Sequence, residues 1–366
     1  MGERPQHLRL GRPIPPVAGR SRTLGLQGSR VAGGPHMGQH LGPAEGAYIN
    51  TTKGKAMADS NVTASRGSAD VKLLATCWTS AGDSSPLYDS KVSPVDVFAR
   101  VESVARAGFK GMGLTHADVQ AARDHHGSGV LGRLKQSCSN AGIEFFEIEF
   151  LTGWYSDDAE LRRGAVLKLA ELLAWAGELG AEQIKIGGSA SVPGRPQPKV
   201  SMIGDAFGGI CERAAAAGVR LALEPQPWTD IATFAAGLEI AQHANQSNGG
   251  LLIDAWHAYR GGWDLSAVAV EDGVYVVAVE LDDADAEQVG TLLEDTINRR
   301  RLPGKGSYDV PGFIREMIRL GFTGYWGIEI LSDEYRQCDV DVALGKVFEA
   351  TMGQFELAVG PNGMSE

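Results

Sequence analysis

Cysteine is scarce in this chain of 366 residues: Cys77, Cys138, Cys211 and Cys338 stand far apart and match neither zinc nor redox spacing. That argues against a disulfide framework and against a thiolate metal site. Four widely spaced thiols read as reduced residues of a cytoplasmic protein. Long apolar runs are missing too. None approaches the roughly 20 residues needed to cross a bilayer, so no membrane partnership is expected. Basic charge is in deficit, with 34 Lys and Arg against 45 Asp and Glu and a net charge of −11. A nucleic-acid surface needs basic clustering, so no nucleic-acid partner is expected either. The first residues lack the apolar core of a secretory signal.

What remains is ordinary for a soluble globular protein, with 43% hydrophobic and 22% charged residues. The length accommodates one large domain of about 250–300 residues with an appendage. Charge is uneven. Residues 1–56 carry six Arg and two Lys against Glu3 and Glu45, a surplus of +6 that leaves −17 for the rest of the chain. Residues 1–69 show no helix or strand period and are rich in Gly, Pro, Arg and Ser. They are expected to be a disordered extension, with Met57 as an alternative start and an organellar leader as a second reading.

From Val71 the pattern changes. Short apolar runs appear at 71–78, 111–116, 143–150, 183–187, 219–224, 250–254, 274–281 and 325–330. Amphipathic stretches such as 97–107, 165–179, 203–217 and 313–320 separate them. Ile203, Phe207 and Ile210 recur at helical spacing and leave Asp205, Glu212 and Arg213 outside. Gly108, Gly142, Gly180, Gly218 and Gly321 each follow a helical stretch, where the left-handed conformation stops a helix. Repeated strand–helix alternation calls for a parallel sheet, and eight units favour closure into a (β/α)8 TIM barrel over residues 70–360. No glycine phosphate loop follows the first strand to support a dinucleotide fold, since Gly304-Lys305-Gly306 comes far too late.

Four of the later runs end in a carboxylate: Glu224 in Leu-Ala-Leu-Glu-Pro, Asp254 in Leu-Leu-Ile-Asp, Glu280 in Val-Val-Ala-Val-Glu, and Glu329 in Trp-Gly-Ile-Glu. A lone carboxylate closing a buried strand is costly unless paired or bound to metal, and each singly reads equally well as a helix cap or ion-pair partner. The four together, on neighbouring strands, open onto the face where barrels build active sites. Oxygen ligation of this kind suits one hard divalent ion, Mn²⁺ or Mg²⁺. Asp282 shares the parity of Glu280 and is an alternative at that position.

With these residues in view, the chain resembles the xylose isomerase-like TIM barrels, which include sugar isomerases and epimerases, inosose dehydratases and endonuclease IV. The resemblance spans about 71–358. Its most specific pieces are Leu223-Glu224-Pro225, Asp254-Ala255-Trp256-His257, the 300–306 run Arg-Arg-Leu-Pro-Gly-Lys-Gly, and the 324–329 run Gly-Tyr-Trp-Gly-Ile-Glu. It implies a Glu, Asp, His, Glu ligand set, with Glu224, Asp254 and Glu329 matching and Glu280 standing where the family commonly has His. It also implies that Glu224 and Glu329 act as acid and base, that His257 contacts a substrate oxygen, and that Arg300 reaches the substrate, with Arg299 and Arg301 as neighbours that could serve instead.

Further candidates for the barrel mouth are Trp78, His116, Glu149 and Lys185, with Trp78, Trp154 and Trp256 as an apolar wall for a sugar ring. Lys185 lies inside an apolar strand and must find a partner, Glu149 or a ligand carboxylate. The paired His125 and His126 read as solvated. The expected activity is a metal-dependent isomerase or epimerase that moves a proton next to a carbonyl on a small sugar or cyclitol. A lyase or dehydratase is the alternative. A binding subunit without catalysis is a weaker reading, and so is a DNA-repair nuclease, for which past residue 70 the chain has only five histidines. The absence of a phosphate cradle tilts the expectation toward an unphosphorylated substrate, and self-association is left open.

Overall fold

The computed structural model describes residues 71–360; the expectations for residues 1–69 lie outside the described residues. Eight parallel strands close into a barrel in sequence order: β1 (Leu73–Ala75), β2 (Gly111–Thr115), β3 (Phe145–Leu151), β4 (Gln183–Gly187), β5 (Arg220–Glu224), β6 (Gly249–Asp254), β7 (Val276–Leu281) and β8 (Trp326–Ile328). The ring is completed by β1 and β8, with Leu74 opposite Gly327 and Ala75 opposite Ile328. All eight expected strands are present; β4 matches its run, β6 begins one residue earlier, β3 ends one residue later, and the others are shorter than their runs.

Helices connect them: α1 (Val97–Ala107), α2 (His116–His126), α3 (Val130–Ala141), α4 (Ala159–Leu179), α5 (Val200–Ala215), α6 (Phe234–Ala244), α7 (Ala255–Gly261), α8 (Leu292–Asn298), α9 (Val310–Arg319), α10 (Asp333–Arg336) and α11 (Val340–Val359). The expected α1 is reproduced residue for residue. The expected α4 begins six residues earlier, where Asp158 caps it by accepting from the backbone N–H groups of Glu160 and Leu161. Gly108, Gly142 and Gly180 take positive φ at the ends of α1, α3 and α4. Gly218 and Gly321 take it just past the ends of α5 and α9. Each lets the chain leave its helix without a Cβ clash.

The strand pleat divides the interior in two. Leu221, Leu223, Leu251, Ile253, Val279, Leu281 and Ile328 belong to the main apolar core. Ala222, Leu252 and Ala278 form a separate small cluster. Each of those three precedes a strand-end carboxylate by two residues, so Glu224, Asp254 and Glu280 share their face, the inside of the barrel. Among the described residues no helix is long and apolar enough to cross a membrane.

Candidate metal centre and substrate cavity

The four strand-end carboxylates converge. Glu224, Asp254, Glu280 and Glu329 are all buried, and each offers an oxygen within 4.8 Å of those of the other three. Register explains why. Asp254 on β6 lies opposite Glu280 on β7, and Glu280 lies opposite Gly327 on β8. A Cβ at Gly327 would stand 2.8 Å from Glu280 Cγ, so glycine there leaves the volume that the Glu280 side chain fills.

Each carboxylate is held differently. Glu224 accepts from His257 Nε2 at 3.0 Å and from Gln226 Nε2 at 2.9 Å. Asp254 caps α7, accepting the His257 backbone N–H at 2.8 Å, and its other oxygen accepts from Arg300 Nη1 at 2.6 Å. The helix-cap and ion-pair roles that a strand-end carboxylate can play are thus both filled by Asp254. Its oxygens still carry further lone pairs. Glu329 accepts from Lys185 Nζ at 2.8 Å and lies 3.3 Å from Arg300 Nη1. Glu280 has Lys185 Nζ 2.7 Å from one oxygen, but out of line for a hydrogen bond, and neither of its buried oxygens has a hydrogen-bond partner.

Lys185 finds the partners that the sequence called for, and more than one of them. Its ammonium lies 2.9 Å from Glu149 as well as beside Glu280 and Glu329. Of the three consecutive arginines, Arg300 is the one that enters the centre. It is buried between Asp254 and Asp282, while Arg299 and Arg301 turn to Asp285. Asp283 sets the loop that carries it. One of its oxygens accepts the backbone N–H groups of Gly304 and Gly306 at 3.0 and 2.9 Å, and the other accepts that of Tyr308 at 3.0 Å. Its own backbone bridges to Arg301. Thr296 Oγ1 then accepts from Arg300 Nη2 at 2.9 Å.

Electrostatically the centre is short of positive charge. Six buried carboxylates (Glu149, Glu224, Asp254, Glu280, Asp282 and Glu329) face two permanent cations, Lys185 and Arg300. Burial pushes Glu280 well above the ordinary carboxylate range, and repulsion by Glu329 adds to it against the pull of Lys185. Burial also raises Glu329, with Lys185 and Arg300 offsetting part. Burial acts on Glu224 in the same sense, but the His257 hydrogen bond and charge, with Lys185, bring it below its ordinary value. Asp254 likewise ends low, because Arg300 and His257 outweigh its burial. Asp282 is raised well above its range by burial and by Asp254.

These features fit a bound divalent cation. The oxygens lie close enough to share one ion, Glu280 presents two buried oxygens without hydrogen bonds, and the surplus negative charge needs compensation. Asp282, the alternative at the seventh strand, is turned to Arg300 and is not among the four converging residues. An all-carboxylate set favours hard ions over soft ones.

A cavity of about 510 Å³ opens above the centre. Glu224 and Glu329 line it, with Glu149, His257, Arg300, Trp78 and His116. His116, at the start of α2, is half-buried, lies 3.1 Å from Glu171 and packs on Trp175. Lys185 is fully buried, with its ammonium taken by the carboxylates. Of the three tryptophans expected to form a wall, Trp78 lines the cavity and the other two do not. Trp154 is buried and donates to the Gly187 carbonyl, and Trp256 is fully buried beside Arg260 and Arg300. Trp228 lines the cavity instead, packed edge-on to His257. It and Gln226 follow Glu224 by four and two residues, and the Pro225 and Pro227 that flank Gln226 were the available signal for a fixed loop there. Of the paired histidines, His125 is exposed and His126 bonds Asp96 at 2.8 Å.

A closed eight-stranded barrel with an acidic cluster and an Asp-x-x-His helix start at its C-terminal face defines the class. The chain belongs to the xylose isomerase-like TIM barrel family, whose pattern matches residues 101–349. Among curated relatives it is 25% identical over 239 residues to a 3-dehydroshikimate dehydratase of Pseudomonas aeruginosa, covering 65% of this chain and 36% of that one. It is 26% identical over 137 residues to an inosose isomerase of Bacillus subtilis, covering 37% of this chain and 48% of that one. The chain thus spans half or less of the length of these relatives. Solved structures with the same fold include the IolI protein with a bound zinc atom (TM-score 0.65, 16% identity, 78% of this chain and 99% of that one). Another is an L-ribulose 3-epimerase (TM-score 0.60, 17% identity, 79% and 95%).

Proposed function

We propose that the protein is a divalent-metal-dependent enzyme that removes a proton next to a carbonyl on a small sugar or cyclitol. Glu224, Asp254, Glu280 and Glu329 would hold the ion. The observation that carries the reading is that two of these carboxylates, Glu224 and Glu329, line the cavity while their surroundings drive their proton affinities apart. Paired carboxylates with opposed environments are the usual arrangement for dividing acid and base work.

When bound, the cation supplies a Lewis acid that draws electron density from a carbonyl oxygen and a neighbouring hydroxyl. Glu329, the more basic of the two, takes the proton from the carbon between them. Lys185, bonded to the same carboxylate, fixes its orientation. His257, held against Glu224 through Nε2, orients that carboxylate. Arg300 faces the oxygens on which negative charge grows.

Return of the proton to the other face gives epimerisation, and return to the neighbouring carbon gives isomerisation. Departure of a β-hydroxyl instead gives a dehydratase. That second reading draws on the dehydratase relative, whose similarity covers more of this chain than that of the inosose isomerase. All three begin with the same step, which deuterium reports. In D₂O the metal-loaded enzyme should wash deuterium into the carbon beside the carbonyl of a ketose, inosose or 3-keto sugar. Glu329→Gln should abolish the exchange, since an amide cannot accept the proton. Turnover with no solvent label would indicate internal hydride transfer and overturn the proposal.

A further inference from the structure

The cavity has a second charged wall that proton transfer does not use. Lys91, in the segment between β1 and α1, and Lys168, on α4, both line it. We propose that these two lysines form a subsite for an anionic group, a carboxylate or a phosphate ester, carried by the substrate away from its reacting carbon. The inference rests on the sugar or cyclitol reading for the identity of the substrate, but not for the existence of the subsite.

The first ground is that both ammonium groups lack a partner. Among the described residues neither lysine has a carboxylate within 4.0 Å, whereas Lys72 and Lys185 do. The acidic group nearest in influence, Glu171, is engaged with the His116 ring at 3.1 Å.

The second ground is that the two cations act on each other. Lys168 is half-buried, and its pKa is lowered by burial and then by the charge of Lys91. Two like charges beside one cavity, which Glu171 offsets only in part, are unfavourable, and an incoming anion reverses the sign of that interaction. Lysine is a point-charge donor suited to carboxylate and phosphate alike.

The third ground is the arrangement of the whole cavity. Its other charged lining residues include Glu149, Glu224 and Glu329, three carboxylates that a cation at the centre would partly neutralise. A ligand anion is repelled there unless it binds that cation, and the lysine wall offers it a separate seat. About 510 Å³ holds a six-membered ring with one substituent. The sequence favours an unphosphorylated substrate, because no phosphate cradle is visible in it. Two lysines 77 positions apart in the chain, on different elements, carry no motif, and only the fold brings them to one wall.

The test is isothermal titration of the Mn²⁺-loaded full chain with three matched cyclitols: neutral myo-inositol, the carboxylate quinate, and myo-inositol 1-phosphate. At least one anion should bind tenfold or more tightly than myo-inositol, and Lys168→Met should remove about tenfold of that preference, roughly 1.4 kcal/mol. Lys91→Met, at an exposed position with little bearing on folding, should act in the same direction. Preference for quinate alone assigns a carboxylate, and preference for the phosphate alone assigns a phosphate ester. The proposal is overturned if neither anion outbinds myo-inositol, or if both variants keep the full preference, which would place the anion on the metal or on Arg300. Lysine-dependent anion binding without deuterium exchange on any substrate would refute the proposed reaction and leave the subsite standing.

Discussion

Replacing Lys185 with methionine probes the balance of charge at the centre. The ammonium lies within 2.9 Å of Glu149, Glu280 and Glu329, and it is buried with them. Methionine keeps much of the volume and removes the charge. Breaking a buried ion pair from one side costs about 3–5 kcal/mol, because the remaining charge is left uncompensated. Part of that cost is relieved when a carboxylate takes up a proton instead. At about 2–4 °C per kcal/mol, the metal-free variant should melt roughly 6–20 °C below the wild type. Mn²⁺ should then restore more stability to the variant than it adds to the wild type, since the ion no longer competes with an ammonium for Glu280 and Glu329. At a free concentration of 100 times Kd the ion itself adds about 2.7 kcal/mol. Calorimetric melting of both proteins with and without Mn²⁺ reads this directly. A metal-free variant as stable as the wild type, or one that gains no more from Mn²⁺, would show that Lys185 is not the balancing charge.

Two other perturbations follow from the barrel interior. Gly327→Ala places a Cβ 2.8 Å from Glu280 Cγ and 3.1 Å from the Val279 carbonyl oxygen, so Glu280 must shift. Metal affinity should fall by about tenfold or more with the fold retained, as judged by circular dichroism and Mn²⁺ titration; unchanged affinity would contradict the assigned role of the glycine. Glu147, buried on β3 and bonded by Gln183, has its carboxyl pushed up to about 8, first by burial. A raised carboxyl favours the folded state below its unfolded value near 4.5, and that contribution is lost as pH rises toward about 8. Glu147→Gln should therefore flatten the loss of stability between pH 5 and pH 9, by a few kcal/mol at most. An unaltered slope in a pH series of melts would refute this.

The fold was legible because the βα units repeat an apolar run, and five of them add a helix-ending glycine. Gly108, Gly142, Gly180, Gly218 and Gly321 adopt the positive φ that their positions implied. The strand-end carboxylates were legible for a related reason. Glu224, Asp254 and Glu280 each lie two residues beyond a small or apolar interior residue, and alternation carries them to the same face. The choice between Glu280 and Asp282 was not legible, because residues two apart share a face. Arg300 engages Asp282 from a loop 18 residues away in sequence, which favours Glu280 as the proposed ligand. That loop is placed by Asp283 through three backbone N–H groups, a contact no local pattern announces. Two of the three expected tryptophans, Trp154 and Trp256, failed for the same reason. Trp154, Trp256 and Trp228 are equally apolar in the sequence, and only tertiary packing decides that Trp228 faces the cavity.

The central claim is that four carboxylates share one divalent ion, and metal stoichiometry tests it most directly. After dialysis against Mn²⁺ and removal of free ion, elemental analysis of the wild type should give one Mn²⁺ per chain. Glu224→Ala, Asp254→Ala, Glu280→Ala and Glu329→Ala should each lose most of it, while Asp282→Ala should retain it. Full occupancy in all four of the first variants, or loss confined to Asp282→Ala, would contradict the account.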